Sequence, residues 1–174
     1  MINTGSSSIH KMTSSALSPS LYFSYSQFMV FDQSEQLPGC DWSEAHTAQG
    51  FARRESTVCF GTPLEFGNAE VIVTFEAYRP NEQHERVIAV PFRCVSGKVT
   101  VEGPDELDVE RAFDVPCGDY KLTAAQVVIG DEEERIELFF ESVSEPLEQS
   151  SIIVADEMLN PPEPLLESSA IAGA

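Results

Sequence analysis

The chain has 174 residues, 42% of them hydrophobic, which is the size of one domain with tails. Its 29 acidic and 10 basic residues give a net charge of −19, so its surface would repel the phosphates of free DNA or RNA. The acid is concentrated in residues 102–174, which hold 19 acidic and 3 basic residues, and this asymmetry favours a basic partner over direct nucleic-acid binding.

The two ends of the chain differ in composition from its middle. Residues 1–20, MINTGSSSIHKMTSSALSPS, are rich in Ser and Thr and lack the apolar stretch of a secretion signal. Residues 156–174 combine prolines, acids and small residues. We predict a flexible Ser-rich arm over 1–20, a folded domain over 21–155 and a flexible acidic Pro-rich tail over 156–174. Because no segment approaches the ~18 apolar residues of a membrane helix, we expect a cytoplasmic protein without membrane contact.

Within the folded domain, apolar residues recur with a period of two, which is typical of half-buried strands. In AEVIVTFEAY, for example, Val71, Val73 and Phe75 share one face. The segments with this pattern are 21–31, 69–78, 85–95, 98–102, 109–115, 119–129 and 135–143. Short strands joined by turns at this spacing predict an all-β fold, an antiparallel β-sandwich of about seven or eight strands with one short α-helix. Pro91 predicts that its strand lies at an edge or carries a bulge.

The stretch FDVPCGDYKL, residues 113–122, has the pattern of a β-hairpin. Phe113 and Val115 precede a Pro-Cys-Gly-Asp turn, and Tyr120 and Leu122 follow it. Glycine tolerates the unusual backbone angles of a tight turn, and the apolar residues on either side would point inward. We predict two adjacent strands that belong to the scaffold.

One helix is predicted in DWSEAHTAQG, residues 41–50. Asp41 can cap the first turn with Glu44 three residues on, and Gly50 fits the left-handed position after the last turn. The residues that would form its buried stripe are Trp42, Ala45 and either Ala48 or Gln49. So short a helix does not hold alone, so we expect it to dock against the sheet.

The sequence contains no motif of a catalytic site: the metalloprotease, nucleophile-elbow, Walker and dinucleotide patterns are all absent. His84 lies in the polar loop RPNEQHER and is expected to be solvated. The four cysteines are Cys40, Cys59, Cys94 and Cys117. None forms a C-x-x-C pair, so we expect small buried free thiols, although export would permit two disulfides. We therefore expect no catalysis, no cofactor and no metal.

Two acidic runs stand in loops next to predicted strands. EGPDELDVE contains Asp105, Glu106, Asp108 and Glu110, and GDEEERIE contains Asp131, Glu132, Glu133 and Glu134. Three interpretations are open. Such runs are often solvated loops. Carboxylates also bind Ca²⁺, although neither run has the D-x-D-x-D-G pattern. Alternatively, the acids face a basic partner, with which association would be fast and salt-sensitive.

Aromatic residues are concentrated near the start of the folded domain. Trp42, the only tryptophan, fits either the core under the short helix or an anchor at an interface. The aromatic residues of LYFSYSQFMVF are predicted to be core residues of a central strand. They are Tyr22, Phe23, Tyr25, Phe28 and Phe31.

Four stretches occur along the chain in the following order: YSQFMVFD, DWSEAHTAQGFARRESTVCFGT, VIAVPFRCVSGKVTVE and AFDVPCGDYKLT. This order resembles the competence protein J family, the inhibitors of the DNA-entry nuclease, over residues 21–143. The most specific parts are the Y-x-Q-F-x-V-F strand, the D-W-[ST] helix start and the F-D-x-P-x-G-D-Y-x-L segment. None of them is a catalytic motif, and the resemblance transfers no interface residues.

The resemblance implies a small cytoplasmic protein that binds and blocks a secreted or membrane-associated, metal-dependent, non-specific DNase. It equally implies an immunity protein that guards a cell from its own nuclease toxin. Together with the charge, it predicts that the acids of 105–110 and 131–134 mimic phosphates in the nuclease's basic groove. Trp42 and the 81–86 loop are further candidate contacts. The alternatives are a calcium- or glycan-binding β-sandwich module and, with less support, a hydrolase.

Overall fold

The computed structural model describes residues 14–106 and 111–173, and within them the chain forms twelve strands and one helix. The strands are β1 (Ser15–Ala16), β2 (Leu21–Phe23), β3 (Gln27–Asp32), β4 (Phe51–Arg54), β5 (Thr57–Gly61), β6 (Gly67–Thr74), β7 (Arg86–Cys94), β8 (Lys98–Glu102), β9 (Ala112–Asp114), β10 (Gly118–Gly130), β11 (Glu133–Val143) and β12 (Ser151–Val154). The helix is α1 (Glu44–Gln49). The predicted all-β fold with one short helix is confirmed.

The strands form two sheets. The first has the order β1-β6-β11-β10-β7-β12, with β2 also paired to β6, and the second has the order β4-β5-β3-β8-β9. The prediction of purely antiparallel pairing is wrong at one place, because β6 and β11 run parallel. A parallel pair needs a long connection, and here β7 to β10 form it. Period-two patterning does not report strand direction.

The predicted strand 21–31 is two strands that belong to different sheets. β2 pairs with β6 in the first sheet, and β3 pairs with β5 and β8 in the second. Between them, Tyr25 and Ser26 have φ angles of 53° and 55°, which turn the chain from one sheet to the other. The sequence prediction also missed the hairpin of β4 and β5, and the short strands β1 and β12.

The segment FDVPCGDYKL is not a hairpin. β9 pairs with β8 in the second sheet, whereas β10 pairs with β7 and β11 in the first, so residues 115–117 cross between sheets. Val115, Tyr120 and Leu122 are buried, as predicted. The Tyr120 hydroxyl donates to the Pro116 carbonyl at 2.6 Å and holds the crossing. Alternation identified the inward residues but not the partners of each strand.

Alternate residues of the strands fill the space between the sheets. In β10 and β11, Leu122 lies opposite Phe140 and Ala124 opposite Leu138, and all four are buried. Phe140 also packs edge-to-face against Tyr120, with ring centroids 5.8 Å apart. Each fully buried large apolar side chain stabilises the fold by about 1.5–3 kcal/mol.

The helix α1 begins later than predicted. Ser43, not Asp41, is the N-cap: its hydroxyl accepts the His46 N–H, and its own N–H donates to His46 Nδ1. This reciprocal pair replaces the predicted one with Glu44. Gly50 follows the helix with φ 84°, which confirms its left-handed position. The buried helical residues are His46 and Gln49.

The C-terminal segment was predicted to be a flexible tail, but residues 156–173 lie against the domain. Leu159 and Leu165 pack on the main core. The Gln49 amide donates to the Leu166 carbonyl, and the Leu166 N–H donates back to Gln49 Oε1 at 2.8 Å. These contacts satisfy the backbone polar groups of a segment that has little regular structure. The composition of the segment does not reveal such contacts.

The predicted arm also differs from the structure over its described part. Ser15 and Ala16 pair with Val73 and Ile72 at the margin of the first sheet. All four cysteines are free, and three are buried as predicted, whereas Cys117 is exposed. Over the described ranges, no helix is long and apolar enough to span a membrane.

Candidate partner-binding surface

One end of the β-sandwich gathers the loops that carry the acidic runs. Here β10 ends at Gly130, β11 begins at Glu133, β6 begins at Gly67 and β3 begins at Gln27. We call this the acidic end. Its exposed carboxylates are those of Glu65, Asp105, Asp131, Glu132 and Glu133.

Direct contacts hold the loops of the acidic end together. The Ser24 hydroxyl donates to Asp105 at 2.7 Å, and the Ser26 N–H donates to the Glu65 carbonyl at 2.8 Å. Gly103 lies so close to β2 that a Cβ there would be 2.0 Å from the Tyr22 carbonyl oxygen. The two acidic runs, about 25 residues apart in sequence, therefore meet on one surface.

The acidic end carries a surplus of negative charge. Among the described residues, none of its five exposed carboxylates is in an ion pair. The nearest bases are each paired with an acid: Arg86 with Asp156, Arg111 with Glu106 and Arg135 with Glu70. These carboxylates are therefore available to a basic partner.

Exposed bases lie at the opposite end of the sheets. Arg93 pairs across the strands with Asp119, and Lys98 with Asp114, close to where β10 begins. From Lys121 to Gly130 along β10, a strand rise of about 3.3 Å per residue spans about 30 Å. The acidic end therefore lies far from Arg93 and Lys98, which are themselves paired with acids at their own end.

Glu106 does not belong to this surface, contrary to the sequence prediction. Its carboxylate forms two hydrogen bonds with Arg111, at 2.9 and 2.7 Å, and their side chains are 6% and 1% exposed. Arg111 also donates to the Val101 and Pro19 carbonyls. Glu106 thus holds an internal arginine that ties β8 to the residues before β2.

Glu134, which the sequence analysis placed among the partner-binding acids, is also internal. It lies on the inner face of β11 and is fully buried. One oxygen accepts the Leu64 N–H at 3.1 Å, and Glu134 Oε1 has no partner among the described residues. Burial raises the pKa of Glu134 from its usual 4.5 to about 7, and the Leu64 hydrogen bond and the charge of Arg86 offset this only in part.

Asp108 and Glu110 lie outside the described residues, so their prediction stays untested. The predicted acids that the structure brings together are Asp105, Asp131, Glu132 and Glu133. Glu65 was not predicted, because no acidic run surrounds it in the sequence.

Aromatic side chains accompany the acids. Tyr22, Tyr25 and Phe66 are exposed, Tyr25 by 73%, whereas Phe23 and Phe28 are buried as predicted. Tyr22, Asn68 and Glu133 lie side by side across β2, β6 and β11, on the outer face of the first sheet. The serines on either side of Tyr25 were the signal that its segment is a turn. Tyrosine is among the residues enriched in protein interfaces.

Trp42 combines the two roles that the sequence left open. It is half-buried, packs on the small cluster around Cys40 and Cys59, and donates from Nε1 to Gln27 Oε1 at 3.1 Å. Its remaining surface lines a groove of about 340 Å³ that begins at Tyr25. Trp42 therefore lies next to the acidic end.

The described residues contain no group of three or more His, Cys, Asp or Glu that could hold a metal ion. His84 is buried, not solvated as predicted: Tyr78 Oη donates to His84 Nδ1, and His84 Nε2 donates to Glu137, both at 3.0 Å. The 81–86 loop is thus anchored on the outer face of the first sheet.

The comparison with protein families identifies the chain's relatives. The family model described as Competence protein J (ComJ) matches residues 20–145. The chain belongs to the competence protein J family. The resemblance read from the sequence over 21–143 is therefore confirmed, and the arm and the tail lie outside the match.

Individual competence protein J relatives agree with this assignment. A Bacillus subtilis (strain 168) protein named DNA-entry nuclease inhibitor is 26% identical over 103 residues, which are 59% of this chain and 76% of that relative. The crystal structure of ComJ from Bacillus subtilis, titled inhibitor of the DNA degrading activity of NucA, has the same fold. Its TM-score is 0.63 at 23% identity, over 75% of this chain and 96% of that one.

A further solved chain, titled Crocagin biosynthetic gene J, has a TM-score of 0.48 at 17% identity, over 74% of this chain and 98% of that one. The named relatives in the competence protein J family are nuclease inhibitors rather than enzymes.

Proposed function

We propose that this protein inhibits a DNA-degrading nuclease by binding it through the acidic end. Membership of the competence protein J family and the printed functions of the Bacillus subtilis relatives support the first part. The observation that carries the second part is the gathering of Glu65, Asp105 and the 131–133 carboxylates, without ion pairs among the described residues, on one surface. No catalytic step is required of the inhibitor.

The mechanism is occlusion of the nuclease's DNA groove. An enzyme that binds DNA must present cations to phosphates, and carboxylates can occupy the same cations. Asp131 and Glu132 stand on the turn between two long strands and Glu133 begins the second strand, so the backbone that carries these side chains is ordered before binding. The acids then act as phosphate mimics while the body of the β-sandwich blocks access.

The remaining features of the partner rest on the family resemblance. We propose that the nuclease is metal-dependent and basic at its DNA site, and that the inhibitor acts in the cytoplasm without binding nucleic acid or membrane itself. Protection against a DNA-entry nuclease and immunity against a nuclease toxin require the same surface. The equivalence point of a titration of the nuclease with this protein gives the stoichiometry of the complex.

The test is a plasmid-degradation assay with a DNA-degrading nuclease from the same organism, titrated with the protein at low and moderate salt. We expect stoichiometric protection, with an affinity that falls as salt rises. The triple variant D131K/E132K/E133K should lose at least about tenfold in affinity and show a flatter salt dependence.

The matched control is D114K/E145K/E148K, which changes the net charge equally at exposed acids away from the acidic end. It should stay within about twofold of the parent affinity, as expected for charges more than a Debye length from the partner. Equal losses in both triple variants would reject the acidic end as the binding surface. Absence of protection at molar excess would reject the inhibitor function.

A further inference from the structure

The groove beside Trp42 has walls of exposed apolar side chains. Its lining includes Tyr25 and Met158, which are 73% and 65% exposed, and the half-buried Trp42 and Leu159. Gly61 and Thr62 lie at its base. Its volume of about 340 Å³ is enough for one or two large side chains but not for a folded segment.

Polar groups at the base of the groove are already used by the protein itself. Trp42 Nε1 donates to Gln27, and the Thr62 hydroxyl donates to the Leu64 carbonyl at 2.6 Å. Arg86 donates to the Gly61 carbonyl and forms two bonds to Asp156, at 2.6 and 3.1 Å. A phosphate, sugar or metal ion would find few free partners here, so the complementary group is an apolar side chain.

The groove is continuous with the acidic end through the turn at Tyr25. Ser24 binds Asp105, and Ser26 binds the Glu65 carbonyl, so Tyr25 stands between two acidic loops. The Thr62 N–H also donates to the Ser26 carbonyl at 2.8 Å, which fixes the turn in its left-handed conformation. The backbone at Tyr25 is therefore held in place before a partner arrives, which reduces the backbone entropy lost on binding.

We propose that this groove receives an apolar side chain, aromatic or branched aliphatic, that projects from the nuclease beside its basic DNA site. This inference rests on the proposed function. The unpaired acids around the groove favour binding of a basic protein, and the apolar side chain belongs to that protein. Free DNA presents no such side chain. The groove would therefore distinguish the enzyme from its substrate and add affinity that salt does not screen.

The variant Met158→Glu separates this inference from electrostatics alone. It adds one negative charge to a surface that binds a basic enzyme, so phosphate mimicry alone predicts unchanged or tighter binding. A groove that receives an apolar side chain predicts the opposite, a loss of roughly 30-fold or more. The loss should persist at high salt. Met158 is exposed, so the substitution leaves the core intact.

Two control variants make the comparison specific. Met158→Leu keeps the apolar volume and should retain parent affinity. Val95→Glu makes a similar change at a residue that is 58% exposed at the opposite end, and should also bind normally. Tyr25→Ala, which removes the other wall without adding charge, should lose at least about tenfold.

The outcomes separate the two proposals. If the parent protein protects DNA and Met158→Glu binds as tightly as the parent or more tightly, the groove inference is wrong while the inhibitor function stands. If the parent protein gives no protection, the proposed function fails and the groove inference fails with it. Selective loss in Met158→Glu and Tyr25→Ala establishes the groove as the anchor site.

Discussion

At the scale of single residues, neighbouring acids in one run have opposite roles. Asp105 is exposed at the surface, whereas Glu106 faces inward to Arg111. The same division separates Glu133 from Glu134. Glu133 and Glu134 are adjacent in β11, where successive side chains point to opposite faces. Asp105 and Glu106 lie in a turn that the Glu106 N–H closes on the Gly103 carbonyl. The internal charges affect stability, and the exposed ones are available for binding.

Glu106→Gln is expected to destabilise the protein by about 3–5 kcal/mol, because it leaves the buried Arg111 guanidinium without its counter-charge. Urea unfolding monitored by circular dichroism measures this. Asp105→Asn, one residue away and exposed, should shift the free energy of unfolding by less than about 0.5 kcal/mol. Equal stability of the two variants would contradict the internal role of Glu106.

Glu134 makes the stability depend on pH. Its folded pKa of about 7 lies above its usual 4.5, so the folded state holds a proton that the unfolded state releases between these values. Its contribution is therefore fully present below about pH 4.5 and is lost as the pH rises through 7. The shift corresponds to at most about 3 kcal/mol.

Glu134→Gln should remove this dependence, because glutamine stays neutral. Denaturant unfolding at several pH values should show that the free energy of unfolding of the variant rises relative to that of the parent protein between pH 5 and pH 8. Glu133→Gln, at the exposed neighbour, is the control and should follow the parent. A parent protein whose stability does not fall relative to Glu134→Gln would contradict the assignment.

At the scale of elements, the helix α1 and the C-terminal segment depend on each other. Gln49 is fully buried and joins them through bonds to both the N–H and the carbonyl of Leu166. His46 Nε2 adds a bond to the Ser168 carbonyl at 2.9 Å. Neither partner has enough regular structure to persist alone, so each supplies the other's missing hydrogen bonds.

Gln49→Ala is therefore expected to loosen both elements while the sheets remain intact. Hydrogen exchange should accelerate in residues 160–171 and in α1, with β10 and β11 unchanged. Thr47→Ala, at an exposed helical position, is the matched control. Exchange that is unaltered in the C-terminal segment would show that its apolar contacts alone hold it.

Most strands and their buried faces were predictable from the sequence, but the pairing between strands was not. The period of two identified the buried side of β10 and β11, and extending it back from Ile136 would also have placed Glu134 inward. The same pattern could not show that β9 and β10 lie in different sheets, because the alternation of apolar residues does not depend on which strand is the paired neighbour. Pro91 was predicted to lie at an edge or a bulge. The pairing of β12 with β7 reaches only to Ala89, so Pro91 has no strand on that side among the described residues.

The candidate site was predictable only in part, for the same reason. The acidic runs were visible, but their meeting depends on the contacts of Ser24 and Gly103, which join distant parts of the chain. Tyr25 was wrongly predicted to be a core residue. The many aromatic residues of its segment suggested one continuous strand, whereas Tyr25 lies in a turn. The wall that Met158 adds to the groove lies in a segment whose composition suggested no structure.

At the scale of the whole molecule, charge is arranged along the long axis of the sheets. The exposed carboxylates of the acidic end have no ion pair among the described residues, whereas the exposed Arg93 and Lys98 lie at the other end, each paired with acids there. Such an arrangement orients a protein as it approaches a basic surface and raises the rate of productive encounters. The placement of charge, rather than its total, should then control association.

This arrangement predicts different rates for two variants of equal net charge. Asn68→Asp adds a negative charge beside Glu133, and Lys98→Gln removes a positive charge at the opposite end. In stopped-flow association with the nuclease at low salt, Asn68→Asp should be about two- to threefold faster than the parent, and Lys98→Gln should be unchanged. Equal acceleration of both variants would mean that only total charge matters.

The parallel pairing of β6 with β11 has a consequence for how the protein is made. β6 ends at Thr74 and its neighbour β11 begins at Glu133, so the first sheet cannot close until most of the chain has left the ribosome. Contacts between such distant residues slow folding, to about milliseconds to seconds for sheet proteins of this kind. Folding of the first sheet therefore follows the synthesis of β11 and does not accompany the synthesis of β6.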